Sequence, residues 1–110
     1  MKATESVIEI AILHYLNLLD DTFAFKIPDQ RECRDGIYKK HPYMPRGIPD
    51  IYCRYHAETL FFEVKTDEGR LSPSQVKIHA KMGNVYTVRN IDEVKAVLRL
   101  IDFLHYPTSL

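Results

Sequence analysis

Three side chains in this sequence could do chemistry together: Asp50, Glu63 and Lys65. They stand in the phrases Gly47-Ile48-Pro49-Asp50 and Glu63-Val64-Lys65. On a strand, alternate side chains share a face, so Glu63 and Lys65 project together while Val64 points into the opposite layer. Asp50 opens the strand before, and pairing of the two strands brings its carboxylate beside Glu63. Two neighbouring carboxylates repel unless a divalent cation sits between them. Mg²⁺ suits such a pair, because it takes a few hard oxygens plus water and phosphate oxygens. Lys65 would then face the water or the phosphate under attack, where a fixed positive charge stabilises the transition state.

The same short strings occur a second time, as Pro28-Asp29 and Glu93-Val94-Lys95. Context separates the copies. Glu93 and Lys95 fall in a helix, where positions two apart do not share a face. Pro28-Asp29 ends a strand, whereas Pro49-Asp50 begins one.

The elements that must position these residues follow from periodicity. Val7, Ile8, Ala11, Ile12, Tyr15, Leu16 and Leu19 have helical spacing, which predicts a helix from Thr4, its N-cap, to Leu19. Glu5 and Glu9 lie on one edge of it. Phe23, Phe25 and Ile27 alternate with Thr22, Ala24 and Lys26, the period of a half-buried strand that Pro28 stops. From Pro28 to Gly47 no apolar rhythm appears, and a structureless stretch of that length points to a functional loop. It carries Arg31, Arg34, Lys39, Lys40 and Arg46, with Tyr38 and Tyr43 interleaved. These cations suit DNA phosphates, and Tyr43 suits bases; plain solvated charge is the other reading.

Strands Asp50 to Tyr55 and Leu60 to Thr66 are expected to form a hairpin around residues 56–59. Ser72-Pro73-Ser74-Gln75 carries a capping box with Pro at the first helical position, opening a helix that ends at Gly83-Asn84. Val85 to Val88 is a fourth strand, and Asn90 caps a last amphipathic helix through Leu104. The expected order is α-β-β-β-α-β-α, an α/β domain with a mixed sheet flanked by helices.

Composition sets outer bounds. A chain of 110 residues is sized for one domain, taken as residues 1–110. With 45% hydrophobic and 27% charged residues it belongs with ordered globular proteins. No apolar run approaches the roughly 20 residues that span a bilayer, and Met1-Lys2-Ala3-Thr4-Glu5 leads straight into an acidic helix. A soluble, cytoplasmic protein without a signal peptide is therefore expected. Cys33 and Cys53 are too few for a disulfide framework or a zinc site. Lys plus Arg equals Asp plus Glu at 15 each, so any grip on nucleic acid must come from a local patch.

Taken together these phrases resemble a VRR-NUC domain, a branch of the PD-(D/E)xK nuclease superfamily. Arg46-Gly47-Ile48-Pro49-Asp50-Ile51 is similar to the family's Gly-hydrophobic-Pro-Asp strand entry. The run from Glu63-Val64-Lys65 through Arg70-Leu71-Ser72 to Gln75 is similar to its Glu-Val-Lys, polar turn, Arg-Leu-Ser and Gln. The resemblance spans nearly the whole chain and, at this size, is to the stand-alone phage and bacterial members. It implies a restriction-endonuclease-like core and a Mg²⁺- or Mn²⁺-dependent endonuclease acting on DNA phosphodiesters, without a nucleotide cofactor. The relatives are homodimers that cut branched DNA such as Holliday junctions, in the bacterial host cytoplasm where phage-encoded.

By resemblance Asp50 and Glu63 bind metal with the Val64 carbonyl, Lys65 is catalytic, and Gln75 lines the site, a role compatible with capping. The helix-one acid is Glu9 or Glu5; Glu9 is favoured by its distance from the end of the helix. The Pro28–Gly47 loop has no counterpart in the shortest members. His14, His41, His56, His79 and His105 lack metal-ligand spacing, which argues against an HNH-type nuclease and leaves them as surface or core residues. The rival class is a non-catalytic DNA-binding or assembly subunit that keeps the fold; the intact Asp50, Glu63 and Lys65 argue against it.

Overall fold

The structure, a computed structural model, describes residues 3–28 and 45–105. Three helices and four strands follow one another: α1 (Glu5–Leu18), β1 (Thr22–Lys26), β2 (Ile51–Tyr55), β3 (Glu58–Val64), α2 (Pro73–Met82), β4 (Val85–Val88) and α3 (Ile91–His105). The sheet order is β1-β2-β3-β4, antiparallel except for the parallel pair β3–β4. This is the expected α/β order with a mixed sheet, and α2 is the crossover that a parallel pair requires.

Helix boundaries follow local chemistry. Thr4 Oγ1 accepts from the Val7 N–H at 3.2 Å and starts α1. At α2 both halves of the capping box form: Gln75 N–H donates to Ser72 Oγ, and Ser72 N–H to Gln75 Oε1. Gly83, at φ 81°, closes that helix in the left-handed region. Asn90 Oδ1 accepts from Glu93 N–H at the start of α3. The hairpin is tighter than expected, with Tyr55 paired to Glu58 across His56-Ala57, because His56 adopts a left-handed φ of 53°.

Ile12 and Leu16 of α1 and Val94, Leu98 and Ile101 of α3 pack on Ile51, Cys53, Leu60, Phe62, Val64 and Val88 to form the core. The thiol of Cys53 is buried there, pushed up to about 12 by loss of water. In β1 the alternation is as expected, but the small residue faces inward. Ala24 is 5% exposed, whereas Phe23 is 60% and Phe25 44% exposed. The reason is the close approach of α1: the Asn17 amide donates to the Ala24 carbonyl and accepts from the Ala24 N–H, at 2.9 and 3.0 Å. It acts as a one-residue strand partner, and only a small side chain fits beneath it. Phe23, Phe25, Tyr52 and Phe61 are left in a chain of ring contacts on the other side of the sheet.

Candidate metal and phosphodiester site

Backbone pairing brings the acids together. Beyond the regular ladder, Ile27 N–H donates to the Asp50 carbonyl and Asp50 N–H to the Phe62 carbonyl. Asp50 is thus held between the ends of β1 and β3. Its side chain turns toward β3, where Oδ2 accepts from the Val64 N–H at 2.8 Å. That bond fixes the carboxylate beside Glu63, the next residue back.

Glu63 is 2% exposed. Its carboxyl is pushed up to about 9, first by burial and then by hydrogen bonding to and charge repulsion from Asp50, with Glu5 adding slightly; Lys65 offsets part of this. Lys65 Nζ stands 3.9 Å from Glu63 Oε2. Glu63 Oε1 has no hydrogen-bond partner among the described residues. A cluster of this kind is poorly stable without a cation, since burial penalises each negative charge and the two acids repel.

Lys65 is aimed by a turn. Thr66 to Gly69 closes through the Gly69 N–H to Thr66 carbonyl bond, and a Cβ on Gly69 would meet the Lys65 stem at 3.3 Å. Arg89, just past β4, clamps that turn from outside by donating to the carbonyls of Thr66 and Gly69. The Gly47 loop packs as tightly on the other side. Gly47 has φ 90°, and a Cβ there would lie 2.6 Å from the Ser74 carbonyl group. Only glycine lets Arg46 and Pro49-Asp50 reach the first turn of α2.

Together these residues enclose an open cavity of about 690 Å³ with Asp50, Glu63 and Lys65 on its wall. Lys26, Arg46 and Arg70 also line it, so a positive rim surrounds the acids. Gln75 lines it too while its side chain completes the cap, so the two expected roles coincide in place. Of the helix-one acids, Glu5 stands on the cavity wall. Glu9, the one favoured from sequence, does not line it: its carboxylate is buried and pairs with Lys26 Nζ at 2.8 Å. The two acids stand one turn apart on α1, and the second is drawn to Lys26 of β1. Arg34, Lys39, Lys40 and Tyr43, with Arg31 and Tyr38, lie outside the described residues.

Sequence reasoning missed Lys26, Arg70, Arg89 and His79. His79 projects from α2, its side chain 9% exposed, and Nε2 lies 3.4 Å from Glu63 Oε1. Burial lowers its pKa, while a hydrogen bond to the Gly47 backbone and the charge of Asp50 work the other way; Lys65 adds to the lowering. One signal was available, since His79 is four residues after Gln75 and shares its helix face.

Among the described residues no three His, Cys, Asp or Glu side chains converge to close a metal sphere alone. Asp50 and Glu63 offer hard oxygens side by side, and Lys65 offsets only part of what burial and Asp50 impose on Glu63, so the pair has room for a further positive charge. That donor set fits Mg²⁺ or Mn²⁺, with water and phosphate completing the sphere. Comparison of the chain with protein-family models, curated proteins and solved structures returned no match.

Proposed function

We propose that this protein is a Mg²⁺- or Mn²⁺-dependent DNA endonuclease with a restriction-endonuclease-like core, of the VRR-NUC kind. One observation carries the reading: two adjacent carboxylates, one of them buried and pushed up to about 9, share a cavity with Lys65 inside a rim of cations. Structural ion pairs place opposite charges together; here two acids are held together on one cavity wall.

In this reading Asp50 and Glu63, with the Val64 carbonyl and Glu5, hold the cation. When bound, the cation supplies charge neutralisation and a more acidic water. The protein does the rest. Asp50 is kept from swinging away by the Val64 N–H. Lys65, held by the turn that Arg89 clamps, donates to the attacking water or to a non-bridging phosphate oxygen as negative charge grows. Arg46, Arg70 and Lys26 bind the flanking phosphates. The oxygen of water bonds to phosphorus as one bridging P–O bond breaks, and the proton that water loses passes through solvent to the departing oxygen, leaving a phosphomonoester and a hydroxyl end.

The reading includes a second copy of the chain, because symmetric cutting of a four-way junction takes two active sites. The exposed aromatic side of the sheet, Phe23 to Phe61, is the apolar surface such a copy would cover. The test is incubation of purified protein with linear, flap and four-way-junction DNA in Mg²⁺, Mn²⁺ or EDTA. Cleavage that requires metal is expected; no cut on any of the three overturns the assignment.

A further inference from the structure

Among the described residues, His79 carries a buried polar side chain that this mechanism does not use. His79 Nε2 and Glu63 Oε1 face each other at 3.4 Å, and neither atom has a hydrogen-bond partner among the described residues. Both side chains are more than nine-tenths buried. Two polar atoms confined together without water would each carry a desolvation cost of about 1–3 kcal/mol if nothing satisfied them. A separation of 3.4 Å is one that a small rotation of the carboxyl closes, and such contacts in metal-free sites often tighten only when the site is loaded.

The placement separates His79 from the ligands. Glu63 lines the cavity, with Lys65 near its other oxygen, whereas His79 does not line the cavity and approaches Glu63 from behind. The helix that carries the ring is itself held, since α2 is fixed at its start by the capping box and Gly47 packs against its first turn. A rigid helix thus carries a polar atom to the rear oxygen of the acid most in need of orientation.

We propose that His79 is a positioning residue for the metal site: it engages Glu63 Oε1 from α2 and turns the other carboxylate oxygen toward the cation. The proposal rests on the metal-site reading above. It needs no particular proton placement, because an imidazole can donate to a carboxylate or accept from a carboxylic acid. Groups that orient a ligand from behind typically change metal affinity 10–100-fold when removed. The contact also ties α2 to β3, so the helix that lines the cavity with Gln75 moves with the metal ligand.

The experiment is calorimetric titration of Mn²⁺ into the full chain, three His79 variants and Glu63→Ala. His79→Leu removes the polar atom at similar volume and is expected to weaken Mn²⁺ binding 10–100-fold. His79→Gln places its amide near the position of Nε2, from which it can donate or accept, and should stay within about threefold of wild type by the same reasoning. His79→Asn places its amide near Nδ1 and falls short of Glu63; it should resemble the leucine variant. A purely structural histidine would lower the melting temperature of Gln and Asn variants without separating their affinities. If His79→Leu does not fold, the Gln–Asn pair decides: unequal affinity in the stated order supports the proposal, and equal affinity overturns it. Wild type that takes up no Mn²⁺ removes the metal site and the proposal with it. Wild type that binds, with Glu63→Ala weak and all three His79 variants unchanged, removes this proposal alone.

Discussion

The tripeptide Glu-Val-Lys occurs twice in the chain, and the two copies have different surroundings. In β3, Glu63 is buried beside Asp50, Val64 is in the core, and Lys65 bends back toward the acid at 3.9 Å. In α3, Val94 is equally buried, but Glu93 accepts the Arg89 N–H at 2.8 Å and Lys95 lies over the Tyr15 ring at 5.4 Å. The difference is the period. A strand puts residues two apart on one face, whereas a helix turns them about 200° from each other. The same letters give a candidate catalytic pair in one place and a helix start with a surface contact in the other. The two copies also meet through one residue: Arg89, whose backbone Glu93 caps, sends its side chain to the turn that aims Lys65.

That comparison can be broken at each position. Asp50→Ala and Glu63→Ala should reduce cleavage to the EDTA level, while Glu93→Gln, which keeps an oxygen for the Arg89 N–H, cuts at the wild-type rate; a gel assay on junction DNA separates them. Lys65→Ala should lower turnover by about 10²–10⁴, the usual scale for a proton or charge role in the transition state. Lys95→Ala should leave turnover unchanged and cost about 0.5–1 kcal/mol of stability through the lost cation–π contact. Single-turnover kinetics and denaturant melts measure the two effects, and equal turnover of both variants would reduce Lys65 to an ion-pair partner.

Acid–base behaviour sharpens the contrast further. The folded protein keeps the Glu63 proton up to about 9, whereas an unfolded glutamate loses it near 4.5. The Glu63 contribution to stability is therefore full below about 4.5 and is lost as pH rises toward 9. His79, lowered from 6.5, has the opposite slope below that value, so the clean window lies between about 6.5 and 9. Without metal, the melting temperature should fall across it. Glu63→Gln should flatten the fall, and Glu93→Gln should not. The smallest differences concern the rim: Arg46→Gln and Arg70→Gln should each reduce the salt slope of duplex binding by about 0.9. Filter binding with a Lys65→Ala background reads this without cleavage.

Much of this arrangement was legible in the sequence because it is local. Thr4, the Ser72–Gln75 box, Gly83 and Asn90 mark helix ends within one turn of themselves. Pairing Asp50 with Glu63 needed only strand alternation and a hairpin. The parts that were not legible depend on where α1 and α2 lie. The inward face of β1 was set by Asn17, a residue of another element. That Glu5 borders the cavity while Glu9 pairs with Lys26 depends on how α1 lies against β1. Likewise, Arg89 and His79 reach the site across sequence gaps of about twenty and sixteen residues. Periodicity carries no information over such gaps.

The central claim is that Asp50 and Glu63 form a cation site, and calorimetric Mn²⁺ titration of wild type, Asp50→Ala, Glu63→Gln and Glu93→Gln tests it most directly. Saturable binding by wild type and Glu93→Gln, with loss in both Asp50→Ala and Glu63→Gln, is the predicted result. Uptake of Mn²⁺ with the same affinity by all four proteins, or by none, would contradict it.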